Sequence, residues 1–313
     1  MTRKIVELFP LWAITLSFIA YVWPQPFVVA KPAIIYLLAV VMFGMGMTLT
    51  WDHFRNALRQ PVIIGLTLLI QFLCMPLFAY LTAYLLGLSS AQTVGMVLVG
   101  ASAGGAASNV ICYLARGNVA LSILLTMSST LVAVVAMPGL TYFYLHQTVP
   151  VPFTEMLTSI VNIVLIPVVL GTAVNSTLGR YLFGLGDVFP LISSTAIVAI
   201  IAIIVGLNQA NIAELSPIVL TAVALHNAAG LAAGYTVPRF LGYDRVTCRT
   251  VSIEVGMQNS GLSVALAIKY FSEPAALPGA IFSIWHNLSG SLLASFWRRG
   301  MLQKTAPRPT VPD

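Results

Sequence analysis

The chain has 313 residues, 58% of them hydrophobic and only 8% charged. Soluble domains carry about 25% charged residues, so this low charge and the mean hydropathy of +0.93 exclude a surface that faces water all round. Fifteen Lys and Arg against nine Asp and Glu leave a net charge of +6, which in so apolar a chain reads as a topology signal and not as a nucleic-acid footprint.

A membrane-spanning helix needs about 20 mainly apolar residues. Ten stretches qualify: 8–23, 32–50, 62–86, 91–115, 118–145, 154–178, 188–207, 215–241, 245–270 and 275–297. The first follows Arg3 and Lys4 as a signal peptide would. It is read as a span because Pro24 and Pro26 follow it, and no small-x-small cleavage site does. Pro24 and Pro26 close this first span, the charged Trp51-Asp52-His53-Phe54-Arg55 stretch closes the second, and Pro150 to Pro152 separate the fifth from the sixth. Cys74, Cys112 and Cys248 lie in apolar runs without CxxC or Cys/His spacing, so neither a disulfide framework nor a zinc site is indicated.

Ten spans put alternate loops on opposite sides. One side takes Arg3, Lys4, Arg55, Arg59, Arg116, Arg180, Arg239, Arg245, Arg249, Arg298, Arg299, Lys304 and Arg308; the other has Lys31 and Lys269 alone. Thirteen against two is a strong positive-inside bias, and it predicts that both termini are cytoplasmic. The basic segment 298–313 reads as a solvated cytoplasmic tail.

Five spans in each half, 8–145 and 154–297, place two related halves in opposite orientations, the inverted-repeat plan of many secondary transporters. The fourth span contains Ser102-Ala103-Gly104-Gly105-Ala106-Ala107-Ser108-Asn109, and the ninth contains Glu254-Val255-Gly256-Met257-Gln258-Asn259-Ser260-Gly261. Gly100-x-x-x-Gly104 and Gly230-x-x-x-Gly234 alone would suit close helix packing. Packing does not explain Ser108-Asn109, or Gln258-Asn259-Ser260 beside a carboxylate. Both helices are therefore predicted to be broken, with unwound backbone at mid-depth. The fold class is an all-α polytopic membrane protein with ten helices in a five-plus-five inverted repeat.

Eight acids, Glu7, Asp52, Glu155, Asp187, Glu214, Asp244, Glu273 and Asp313, lie near span ends or in loops. Glu254 alone falls near mid-span, where an unpaired charge is expensive. It stays protonated, carries a proton as part of its function, or pairs with a metal ion. Ser108, Asn109, Gln258, Asn259, Ser260 and nearby carbonyls offer oxygens and no thiolate or imidazole cluster, a set that suits a hard monovalent cation such as Na⁺.

The GGAASN segment at 104–109, the EVGMQNSGL segment at 254–262 and the ten-span plan together resemble the bile acid:sodium symporter family, in particular its bacterial members. Ala103 stands where that family often has a proline. The resemblance implies a secondary transporter of organic anions, with a panel domain of spans 1, 2, 6 and 7 and a core domain of spans 3–5 and 8–10. It implies that spans four and nine cross, and that two Na⁺ bind behind the crossing. By resemblance, Ser108, Asn109, Ser122, Thr126 and Glu254 form one sodium site. Gln71, Glu254, Gln258 and the carbonyls of Val255 and Met257 form the second. Asn259, His286, Asn287 and Ala106 would face substrate, while His226-Asn227 would support the core. Ser122 and Thr126 are four apart and share a helix face, although each could instead bond back to its own helix.

The implied setting is the inner (cell) membrane. Neither a cofactor, nor nucleic acid, nor an obligate protein partner is expected. A proton-coupled organic-anion transporter with Glu254 as proton carrier is the nearest alternative. An intramembrane enzyme is less favoured, since HExxH and a paired aspartate are missing and Glu254, the one mid-span acid, has no obvious catalytic partner.

Overall fold

A computed structural model describes residues 9–179, 188–212 and 217–305. Arg3, Lys4, Glu7, Arg180, Asp187, Glu214, Arg308 and Asp313, which enter the charge analysis, lie outside the described residues. The described chain is almost wholly helical. In order come α1 (Phe9–Val22), α2 (Gln25–Val29), α3 (Ala33–Gly46), α4 (Trp51–Ala57), α5 (Pro61–Leu85), α6 (Ser90–Gly100), α7 (Ala107–Leu114) and α8 (Val119–Leu145). There follow α9 (Phe153–Leu178), α10 (Val188–Leu207), α11 (Gln209–Ile212), α12 (Pro217–Phe240), α13 (Arg245–Gly256), α14 (Ser260–Tyr270) and α15 (Glu273–Thr305).

Four of these, α5, α8, α9 and α12, are each long and apolar enough to cross a bilayer. Physical reasons keep others below that mark. The predicted spans 91–115 and 245–270 are each split, into α6 with α7 and into α13 with α14. Helix α15 carries His286-Asn287 and several serines, which dilute its hydropathy. It also runs past the predicted end at 297, because a helix need not stop where the apolar stretch does. Large apolar side chains remain on the outside, among them Phe18, Tyr36, Val135, Phe143, Leu170, Leu225, Leu292 and Phe296. Such an exterior suits hydrocarbon and not water. This is an integral membrane protein.

Local sequence sets the helix ends. Ser89 and Gln92 form a reciprocal capping box on α6. Gly87 (φ 65°) supplies the left-handed residue that closes α5, with the Leu88 N–H reaching the Ala83 carbonyl. Asp244 caps α13, accepting from the N–H groups of Val246 and Thr247 and from the Thr247 hydroxyl. That hydroxyl, with the N–H bonds, holds the Asp244 carboxyl below its ordinary range. Asp244→Ala is expected to cost about 1 kcal/mol of stability, read as a lower Tm. The wild-type advantage should be full above the ordinary aspartate pKa and fade as pH falls through the depressed one.

Two helices contain a π turn, Ile70–Cys74 in α5 and Val161–Leu165 in α9. Each precedes a proline, Pro76 and Pro167, that has no N–H for the preceding turn.

Helices α1, α3, α9 and α10 pack on one another, and α5, α6, α12, α13, α14 and α15 form a second group. Side-chain contacts among Lys31, Glu155, Ser159, Lys269, Tyr270 and Glu273 join the groups at one end. Lys31 pairs with Glu273, Lys269 donates to Ser159 Oγ (2.6 Å), and the Tyr270 hydroxyl donates to the Glu155 carbonyl (2.6 Å).

Candidate functional site

The two breaks meet. Gly104 and Gln258 face each other in an isolated antiparallel bridge. Gly105 N–H donates to the Met257 carbonyl (2.6 Å), and Asn259 N–H donates to the Ala103 carbonyl (2.8 Å). Glycine is required there. A Cβ on Gly105 would lie 2.9 Å from the Gln258 carbonyl oxygen, and one on Gly104 would run into the Glu254 carboxylate.

Backbone groups freed by the breaks are collected by side chains, as buried polar groups must be. The Ser102 carbonyl accepts from Gln71 Nε2 (2.7 Å), Gly100 from Gln258 Nε2 (3.1 Å), and Gly256 from Asn227 Nδ2 (2.7 Å). Leu98 accepts from Ser263 Oγ, and Ser129 Oγ accepts from Gly104 N–H. The carbonyls that the sequence left open to an ion are thus largely occupied. Met257, a predicted ligand through its carbonyl, already accepts one hydrogen bond and keeps one lone pair.

Glu254 is buried beside the crossing at 1% exposure. Its Oε2 accepts from Ser108 Oγ (2.7 Å) and Thr126 Oγ1 (2.8 Å). Thr126 also lies 3.0 Å from the Ser122 carbonyl, and its one hydroxyl proton can serve only one of the two acceptors. Ser122 Oγ faces the same carboxylate without closing a hydrogen bond. Helices α7, α8 and α13 therefore bring Ser108, Thr126, Ser122 and Glu254 together. Four buried oxygens on predicted ligands have no hydrogen-bond partner: Glu254 Oε1, Ser122 Oγ, Asn109 Oδ1 and Gln71 Oε1. Native interiors hold few such atoms, and each requires a reason.

The remaining predicted residues are more dispersed. Gln71 sits in the π turn of α5 and Val255 packs into the apolar cluster around Leu121 and Leu125. Asn259 caps α14 through Leu262 N–H (3.2 Å) and turns its amide toward Met42 of α3. Asn287 bonds back to the Ser283 carbonyl, and Ala106 packs half-buried on the large apolar cluster. The His286 ring meets Phe282 edge-on, with centroids 5.0 Å apart, and Phe282 also contacts His226. Ser129 went unnoticed in the sequence, although it continues the Ser122–Thr126 face at i+7. A groove of about 310 Å³ lies between α1 and α10, lined by Trp12, Leu16, Leu191 and Val198 among others. It shares no lining residue with the polar centre and has almost wholly apolar walls, so the site is the crossing and not the groove.

A sequence profile described as the Sodium Bile acid symporter family matches residues 35–215. The chain belongs to that family. It is 38% identical over 302 residues to a protein of Bacillus subtilis (strain 168) named as an uncharacterized sodium-dependent transporter, covering 96% of this chain and 94% of that one. It is 38% identical over 293 residues to the Arabidopsis thaliana protein named "Probable sodium/metabolite cotransporter BASS1, chloroplastic", covering 93% and 73% respectively. It is 30% identical over 253 residues to the ileal sodium/bile acid cotransporter of Oryctolagus cuniculus, covering 78% and 72%. A family of sodium-dependent transporters and cotransporters, and not of enzymes, is thereby established for this symporter-family chain.

Proposed function

We propose that the protein is a sodium-coupled symporter of organic anions working by alternating access. The observation that carries this reading is the set of unpartnered buried oxygens around Glu254, Ser122, Asn109 and Gln71. Oxygen acceptors without donors are what a hard cation would satisfy. One site uses Ser108, Asn109, Ser122, Thr126 and Glu254. The second uses Gln71, Glu254, Gln258 and the carbonyls of Val255 and Met257.

Glu254 then bridges two Na⁺. Two sodium ions, one carboxylate and one monovalent organic anion sum to zero, so the loaded centre can be carried across the bilayer while a half-loaded one is penalised. This couples the two gradients. The anion itself would bind near Asn259, Asn287, His286 and Ala106, drawn by the N-terminal ends of the half-helices α7 and α14. Bile-acid-like anions and smaller carboxylates are the candidate class, in keeping with the names of the relatives.

The ten-span inverted repeat is supported by a repeated device. In each half the helix before the break supplies an amide to a break carbonyl: Gln71 to Ser102, and Asn227 to Gly256. The reading takes spans 1, 2, 6 and 7 as panel and spans 3–5 and 8–10 as core. The two packing groups support it, with α8, which packs against helices of both groups, assigned to the core because it carries Ser122 and Thr126. The contacts of Lys31 with Glu273 and of Lys269 with Ser159 join residues predicted for one side, which supports the ten-span count, and the thirteen-to-two distribution of cations is what points both termini to the cytoplasm. The cell membrane of a bacterium is the proposed location.

Purified protein in proteoliposomes tests the reading. An inward Na⁺ gradient at equal pH should drive uptake of a bile acid or a small carboxylate, with a sigmoidal dependence on Na⁺. Uptake driven by a pH gradient in Na⁺-free medium would instead support proton coupling through Glu254.

A further inference from the structure

Gly100 is the last residue of α6. In a continuous helix its carbonyl would receive the N–H of Gly104, but that N–H donates to Ser129 Oγ (3.1 Å). Gln258 Nε2 takes the vacated place, donating to the Gly100 carbonyl at 3.1 Å. A carbonyl can only accept, so this bond fixes which end of the Gln258 amide is nitrogen.

The Gln258 oxygen must then point the other way, where it lies 2.9 Å from His226 Nε2. An amide oxygen cannot donate. His226 therefore carries its proton on Nε2, in keeping with the Nδ1 atom, which has no hydrogen-bond partner. Phe282 lies against the imidazole, with ring centroids 5.8 Å apart, and Asn227 holds the Gly256 carbonyl one residue further along α12. The relay runs from α12 through Gln258 to the end of α6 and crosses both breaks. His226 and Gln258 are fully buried, so water does not compete for these bonds.

The terminal torsion of a glutamine is broad and roughly two-fold. Without a donor on one side, the amide can turn and present N–H groups where a cation needs oxygen. We infer that His226 is a positioning residue for sodium: its Nε2–H fixes the Gln258 amide so that the second lone pair of Oε1 stays available to the ion. This rests on the proposed role of Gln258 as a ligand. It gives the buried histidine a task in ion binding that is distinct from packing, and distinct from contact with the transported anion.

The test is sodium-dependent thermal stabilisation of the purified full-length protein in lipid nanodiscs, titrated with NaCl at constant ionic strength against choline chloride. Wild type and His226→Leu, His226→Gln and His226→Asn are compared. Removing a residue that orients a metal ligand typically weakens metal binding by about 10- to 100-fold. His226→Leu should therefore raise the half-saturating Na⁺ concentration by about 10-fold or more. His226→Gln places an amide N–H near the Nε2 position and should restore it to within about 3-fold of wild type. His226→Asn is too short to do so.

A purely structural histidine would give variants with lower Tm in choline but an unchanged half-saturating Na⁺, and that result overturns the proposal. So would a lower half-saturating concentration in His226→Leu, which would make the histidine a competitor of the ion. Should His226→Leu fail to fold, the contrast between Gln and Asn decides: equal half-saturation in those two overturns the inference. A wild type that shows no sodium stabilisation at all would instead fail the underlying site assignment.

Discussion

Glu254→Gln is expected to abolish both sodium-dependent stabilisation and sodium-driven uptake while leaving the folded, sodium-free protein as stable as wild type or more so. The argument starts from the geometry. Glu254 Oε2 is engaged by two hydroxyls, and Oε1 has no partner. Glutamine keeps one oxygen for Ser108 and Thr126 and nearly the same volume. Among the described residues it removes the only carboxylate at the crossing, and with it the formal charge that both proposed ions share.

A ligand at a hundred times its Kd stabilises by about 2.7 kcal/mol per site. The wild-type protein should gain that increment in saturating Na⁺, and Glu254→Gln should gain none of it. In choline the order should be level or reversed, because the variant no longer buries an acid without a counter-ion. Thermal unfolding in paired NaCl and choline series measures both effects. An equal Na⁺ increment in wild type and variant would remove Glu254 from the sodium sites and return it to the role of a proton carrier or a structural acid.

Much of this was legible in the sequence, and the reasons differ by level. Composition alone placed the chain in a membrane. The break positions followed from polar and glycine residues where an apolar helix needs none: α6 ends at Gly100, just before the first segment singled out, α7 resumes at Ala107 within it, and α13 ends at Gly256 inside the second. Glu254 stood out because eight other acids had loop or span-end positions. Ser122 and Thr126 showed their common face through spacing.

What could not be read was which hydrogen bonds close the breaks, since these depend on helices far apart in sequence. Gln258 looked like a free ligand, yet it lies between His226 and Gly100, 32 and 158 residues away. The short helices α2 and α4 were absorbed into loops, because five or seven residues give no clear periodicity. The π turns were hidden for a similar reason. Pro76 and Pro167 announced a disturbed helix, but only tertiary packing decides between a kink and a widened turn.

The second large effect falls on a residue without a side chain. Gly104 lies directly under the Glu254 carboxylate, so that an added Cβ would overlap Oε1 and come within 2.7 Å of Cδ. The end of a flexible acid could normally move aside. This one is anchored by Ser108 and Thr126, so Gly104→Ala should push the carboxylate off its hydroxyls. Overpacking of this kind costs about 1–3 kcal/mol, and the loss of sodium affinity should be the larger consequence. Gly171→Ala, in the packing of α9 on α3, provides the control. Its Cβ would crowd the Phe43 carbonyl and Gly46, away from the acid, and should lower Tm in choline without changing the half-saturating Na⁺. Shortening the acid offers a sharper check. In Gly104→Ala/Glu254→Asp the missing methylene makes room for the added methyl, so the double variant should bind Na⁺ better than the two single effects combined would allow. Strict additivity in that cycle would mean that Gly104 acts on the fold of the crossing and not on the position of the carboxylate.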